Sequence, residues 1–323
     1  MTLHISYYFQ VLGYIDDQFV SIPPNITTVN RICGSTIRDE AEMADWLSKN
    51  QVKYDEAPKN GEEMAKSRVG EVLYEKIFKH YTHKQWDRYP DELDASVLAR
   101  IPCRNNFDTR YFSDKFQALP KHGYTAFFDK LLTHPNIRIC LNCNFFENRS
   151  RIRADVPIIY TGPIDHYFAE SGLPSLQYRS LEFREENLEG MKYYQPGSVV
   201  NYPGREVEFT RIVEYKHFLN QQSPHTTIVK EFSKADGDPY YPVPNERNLS
   251  LYEKYKSLAE QEKGIYFLGR LANYKYFNMD QAIHNALEFF DNLVKENASL
   301  QGLSPMNGCQ ANGSGEPVDS RAK

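Results

Sequence analysis

Apolar positions recur at helical spacing in the first third of the chain and at alternating, strand-like spacing in the middle third. Residues 8–22 read as a strand pair, FQVLGYI and FVSIP, turned at Asp16-Asp17. Thr36 then opens a helix, with Asp39 as a near capping box and Trp46 and Leu47 inside. A longer helix starts near Glu62. Its Val69, Leu73 and Ile77 share one face at four-residue steps, with Val72 alongside. DELDASVLAR, residues 91–100, fits a third helix.

From about residue 135 the texture changes. IRICLN, VPIIYTG, SLQYRSLEFR, SVVNYPG, VEFTRIVEYKHF and TTIVKEF are short, strand-like and separated by Gly, Pro or Asn. Their alternation suits an antiparallel sheet with one wet face. Residues 249–263 read as a helix, 265–268 as a buried strand and 279–295 as a final helix. Beyond these, ASLQGLSPMNGCQANGSGEPVDSRAK lacks periodicity and reads as a disordered tail.

The bulk properties narrow the classes. A net charge of −5 does not indicate a nucleic-acid footprint. No apolar run is long enough for a membrane helix, and MTLHISYYFQ lacks the charged start and apolar core of a signal peptide, so a cytoplasmic protein is expected. The 23 tyrosines suit polar-ligand pockets, where a ring packs and its hydroxyl stays wet. Cys140 and Cys143 form one C-x-x-C with no second pair, so no metal site is expected.

Several short stretches carry chemistry, each beside a plainer reading. In YTHKQW, Tyr81 and Trp86 form either a stacking platform for a planar base or core aromatics, with Lys84 complementing the helix dipole. RIPCR and RYF bring Arg100, Arg104 and Arg110 near Tyr111, for a diphosphate or for surface ion pairs. In YTGPIDHYF, Asp165 and His166 read as an acid/base couple or, preferably, a satisfied turn histidine. Arg211 alternates with Phe209, Val213 and Tyr215 on one strand face. An arginine there calls for an anion, or for a carboxylate across the sheet. PYYPVPN is a proline-fixed extended segment bearing Tyr240 and Tyr241. The turn GRLANYKYFNMD is longer and more aromatic than a strand-to-helix connection needs.

In order, FVSIPPN, YTHKQW, RIPCR, RYFSDKFQALPKHGY, YTGPIDHYF, YRSLEF, NYPGREVEFTRIVEYKHF, YYPVPN and GRLANYKYFNMD resemble the UDP-galactopyranose mutases over about residues 10–292. The resemblance implies interconversion of UDP-galactopyranose and UDP-galactofuranose through an N5 adduct of reduced FAD. It implies that Phe78, Tyr81, Trp86 and Tyr111 contact the nucleotide, and that Arg100 and Arg211 hold the diphosphate. Tyr241 and Tyr276 would lie near diphosphate and sugar, Asn25 near flavin and sugar, and Arg270 and Met279 against the flavin. Asn278 stands where the family has an aspartate.

The family opens with a G-x-G-x-x-G loop in a βαβ unit that binds the flavin pyrophosphate. No such loop occurs in this chain, which the resemblance places beyond that unit. The expected fold is therefore mixed α+β and α/β. Residues 1–35 begin the sheet and FAD-domain region, 36–104 form a small helical substrate-binding module and 105–235 an antiparallel sheet domain. Residues 236–295 complete an incomplete Rossmann-like FAD-binding domain, and 296–323 form the tail. Expected partners are UDP or UDP-galactose, another copy of the chain or a complementing N-terminal chain. The alternative function is a non-catalytic remnant that binds UDP, a UDP-sugar or a partner.

Overall fold

The computed structural model describes residues 5–6, 8–153 and 155–296. The expected tail falls at 296–323 and lies, but for residue 296, outside them.

Strands β1 (Val11–Ile15) and β2 (Gln18–Ile22) form the expected hairpin. Asp16 and Asp17 turn it with φ of 48° and 60°, the left-handed pair that matches strand twist. Helix α1 (Ile26–Cys33) follows, an element with no counterpart in the sequence reading. Asn25 caps its start and Gly34 ends it at φ 63°. Helix α2 (Glu40–Asn50) begins at Asp39 and not at Thr36, because the Asp39 carboxylate accepts from Glu42 N.

The long helical segment has three parts: α3 (Gly61–Leu73), a π-helical stretch at Tyr74–Lys79, and α4 (His80–Trp86). Gly70 breaks α3 with φ 79°, and a Cβ there would sit 2.4 Å from Asn50 O, so only glycine lets α2 end so close. That break moves Val72 out to 52% exposure, while Val69, Leu73 and Ile77 stay buried. The third expected helix is a 3-10 turn at Pro90–Glu92 followed by α5 (Ser96–Ala99).

Apart from a two-residue antiparallel pair, Ile5–Ser6 with Ala118–Leu119, the further strands are β3 (Ile158–Tyr160), β4 (Tyr178–Leu188), β5 (Val199–Asn201), β6 (Arg211–Glu214), β7 (Thr226–Lys234), β8 (Tyr241–Pro242) and β9 (Ile265–Phe267). Seven strands form one sheet in the order β8-β4-β7-β6-β5-β1-β2, antiparallel throughout except for the β1·β5 pair. The hairpin from residues 11–22 is therefore part of the sheet expected over 105–235. IRICLN is not a strand; Ile137, Ile139 and Leu141 are exposed there.

The main core lies between this sheet and the helices. Ile22, Val199 and Val213 pack with Ile26, Met43, Leu73, Tyr74 and Leu98. Away from it, β3 and β9 pair in parallel, flanked by α7 (Glu246–Ala259) and α8 (Met279–Glu296). Strand β9 is only half-buried, not the buried strand its sequence suggests. The short helix α6 (Gly123–Leu132) buries none of its residues.

Candidate functional site: an aromatic wall facing an arginine–tyrosine cluster

Helix α4 begins two residues after Phe78. Tyr81 and Gln85 are four residues apart and share a face, and Trp86 ends the helix. Phe78 (5% exposed) and Trp86 (8%) are packed enough to hold fixed ring positions. Together these side chains form one wall of a cavity of about 240 Å³. Across from them β5 and β6 supply Val199, Asn201 and Arg211. Arg100, Tyr111, Tyr276 and Asn278 reach the same space from three connecting segments, and Tyr241 reaches it from β8.

Arg211 is aimed by the ladder. It lies opposite Glu231 in the β6·β7 register, and its Nε donates to Glu231 Oε2 at 2.6 Å. Its Nη2 donates to Tyr241 Oη at 3.2 Å. Both readings of Arg211 therefore hold: it pairs across the sheet and also lines the cavity. A guanidinium carries five N–H donors, so these two contacts leave donors for an anion. Burial alone would lower the Arg211 pKa, but Tyr81, Glu231 and Tyr241 outweigh it and push it well up. Burial raises the Tyr81 hydroxyl pKa against the pull of Arg211, and does the same for Tyr241, so both are neutral donors at neutral pH.

Tyr241 and Tyr276 stack with centroids 5.5 Å apart and planes at 16°. Trp86 meets both edge-on, at 5.9 and 6.0 Å. Arg100 Cζ lies 4.0 Å from the Tyr276 centroid, and Arg270 Cζ lies 4.4 Å from Tyr276 and 4.9 Å from Tyr241. Arg100 and Arg270 thus gather on two rings and Arg211 on the Tyr241 hydroxyl, and among the described residues only Arg211 has a carboxylate partner, Glu231. A positive cluster that is only partly compensated suits a doubly charged oxyanion.

Three expected site residues lie outside the cavity lining. Asn25 is fully buried as a cap: its Oδ1 accepts from Thr28 N and Oγ1, and its Nδ2 donates to Asp108 O at 3.2 Å. That bond helps fix the segment leading to Tyr111, whose N–H donates to Phe9 O. Arg270 touches the tyrosine pair from behind. Its Nη1 donates to Phe277 O, while its buried Nε and Nη2 have no partner. Met279 starts α8 and is 54% exposed.

Other stretches resolve differently. Asp165 accepts from Leu176 N and Tyr178 Oη, a structural network beside the exposed His166. Arg110 pairs with Asp108 at 2.7 Å, and that partner holds the Asp108 carboxyl down to about 2. Cys140 and Cys143 are free and exposed. Among the described residues no group of His, Cys, Asp and Glu is arranged to hold a metal, and no helix is long and apolar enough to cross a membrane.

The sequence reading missed Gln85 and Asn201. Gln85 is 6% exposed, lines the cavity and has a buried Nε2 without a partner. Asn201 Oδ1 lies 3.5 Å from Tyr81 Oη. The four-residue spacing from Tyr81 within YTHKQW was the available signal for Gln85.

The family profile of UDP-galactopyranose mutase matches residues 76–276. The Probable UDP-galactopyranose mutase of Klebsiella pneumoniae is 38% identical over 303 residues, covering 93% of this chain and 77% of that protein. A dTDP-fucopyranose mutase of Escherichia coli is 36% identical over 291 residues, 87% of this chain and 76% of that one. In fold, a crystal structure of reduced UDP-galactopyranose mutase superposes with a TM-score of 0.66 at 15% identity, over 92% of this chain and 79% of that one. By sequence over nearly its whole length, the chain belongs to the UDP-galactopyranose mutase family.

Proposed function

We propose that this chain acts as a UDP-galactopyranose mutase, interconverting UDP-galactopyranose and UDP-galactofuranose with reduced FAD. The observation that carries the reading is the cavity itself, with base-sized aromatic surface on one side and an arginine–tyrosine cluster, only partly neutralised by Glu231, on the other. In this reading the pyrimidine stacks along Phe78, Tyr81 and Trp86, with Tyr111 a further nucleotide contact. The unpaired Gln85 Nε2 donates to a base carbonyl, which removes the cost of a buried donor left empty. The diphosphate lies between Arg100 and Arg211, and the Tyr241 and Tyr276 hydroxyls donate toward it and the sugar.

Ring interconversion requires the anomeric C–O bond to break, leaving negative charge on the UDP diphosphate. Arg211 is held by Glu231 before any ligand arrives, so its charge is preorganised for that leaving group. Arg100 makes no ion pair among the described residues and supplies a second, movable cation. The remaining work is positioning, which fits a cavity without an acid/base couple. Asn278, beside Tyr276, offers an amide donor and acceptor in place of a carboxylate.

When bound, reduced FAD supplies the nucleophile for the anomeric carbon. The residues present fit one side of that group. The two unpartnered nitrogens of Arg270 suit the carbonyl-rich edge of a flavin, and the positive N-terminal end of the helix that Met279 opens would suit the same edge. The parallel β3·β9 pair with α8 reads as part of a Rossmann-like FAD-binding region.

The test is turnover of UDP-galactofuranose by the full chain with reduced FAD, alongside calorimetry with UDP. The expected result is release of UDP-galactopyranose, with Arg211→Ala lowering kcat/KM by about 100-fold or more. UDP binding without flavin uptake or turnover supports the non-catalytic binding alternative. No heat at millimolar UDP sinks both. A parallel assay with dTDP-fucofuranose decides which nucleotide-sugar is preferred, a choice raised by the Escherichia coli relative.

A further inference from the structure

Lys84 does more than complement a helix dipole. It sits on α4 between Tyr81 and Gln85-Trp86, half-buried, and points at the loop joining β5 to β6. Four backbone carbonyls lie within hydrogen-bond distance of its ammonium, whose three N–H donors they share: Tyr202 O, Gly204 O at 2.8 Å, Phe209 O at 3.1 Å and Val207 O at 3.2 Å. Residues 203–210 have no regular secondary structure. Within the loop, Tyr202 N donates to Thr210 O. The four carbonyls curl around one cation, which holds the loop in one shape.

The two ends of that loop are the opposite side of the cavity. Asn201, which faces Tyr81, closes β5, and Arg211 opens β6. Pro203, inside the loop, lines the cavity as well. Lys84 itself is not part of the cavity lining. It ties the helix carrying the base-stacking aromatics to the strand hairpin carrying the diphosphate arginine.

We propose that Lys84 is a positioning residue that sets the span between the aromatic wall of α4 and Arg211, and so the fit of a nucleoside diphosphate across them. The inference rests on the nucleotide-binding reading above. A ligand that bridges both walls feels an error in their spacing; a ligand that touches one wall does not. Misplacement of a gripping group by about 1 Å can cost about 100-fold.

The experiment compares UDP with uridine by calorimetry on the full chain, for the native protein and for Lys84→Met and Lys84→Gln. Lys84→Met is expected to weaken UDP by about tenfold or more while uridine changes by about twofold or less. Lys84→Gln keeps two N–H donors and is expected to show the same split, reduced in size; it decides the question if Lys84→Met does not fold. Equal losses for both ligands mean general destabilisation and overturn the proposal, as does no loss for either. Absence of UDP binding by the native chain overturns the nucleotide reading, and this inference with it.

Discussion

The seven-stranded sheet with its helical cover and the parallel β3·β9 pair with α8 handle apolar surface in opposite ways. In the first, Ile212 (1% exposed), Ile228 (0%) and Val200 (0%) are shut away, and the cavity is built directly on that packed body. In the second, Ile159 on β3 is exposed, and Met279, Ile283, Leu287 and Phe290 lie exposed at helical spacing along α8. Parallel strands normally have both faces covered. In the proposed function, the nucleotide side of the site is thus self-supporting, whereas the proposed flavin side rests on elements whose apolar surface is open. The difference teaches that the cavity and the β3·β9 region, which the proposed function gives to UDP and to flavin, have different amounts of tertiary support within one chain.

The widest expected gap tests that contrast directly. Ile228→Ala should cost about 2–5 kcal/mol, because it empties a site in the sheet core. Leu287→Ala, at an exposed α8 position, should fall within about 0.5 kcal/mol of the native chain. Urea unfolding of the three proteins measures both. A similar large cost for Leu287→Ala would break the contrast, since it would mean that α8 is packed in solution.

A smaller effect sharpens it at the cavity. Glu231 is the carboxylate that aims Arg211, and it is nearly buried while Arg211 is 28% exposed. Glu231→Gln keeps a hydrogen-bonding amide but leaves the guanidinium uncompensated. Breaking a fully buried pair costs several kcal/mol; solvent reaching Arg211 reduces the expected loss to about 1–2 kcal/mol. Urea midpoints check it. No change would mean that the pair contributes orientation without stability.

How much of this was legible in the sequence follows the same divide. Val69, Leu73 and Ile77 announced a buried face by spacing, and alternation found β4, β6 and β7. The site was legible because its motifs are long. Phe78, Tyr81, Trp86, Arg100, Tyr111, Arg211, Tyr241, Tyr276 and Asn278, scattered over some two-thirds of the chain, all meet at one cavity. What failed had local causes. Residues 137–142 are apolar enough for a strand but find no partner strand, and periodicity cannot see a missing partner. Val72 fits the helical face until Gly70 turns the backbone at a point set by the approach of Asn50. Asn25 was placed near flavin and sugar by resemblance alone, and its role as the cap of α1 depends on a local backbone geometry that the resemblance does not describe. Lys84 does stand in the last turn of its helix, as expected, but its four acceptors were not legible because they are backbone carbonyls, which no side-chain pattern encodes.

The smallest expected effect concerns that lysine. Burial pulls the Lys84 ammonium from its ordinary value of 10.5 to about 8, with Glu206 pulling the other way. Between those values the unfolded chain holds a proton that the folded chain has released. Stability should therefore rise with pH across the window, as the cost of a buried charge is relieved. Tyrosines whose pKa burial raises act in the opposite sense above about pH 10, so the useful quantity is the difference between the native chain and Lys84→Met. That difference should move in favour of the native chain by about 1 kcal/mol between about pH 8 and about pH 10. Urea midpoints at each pH measure it. A flat difference would mean that the four loop carbonyls offset the burial in full, which would make the clamp on the β5–β6 loop stronger than burial alone implies.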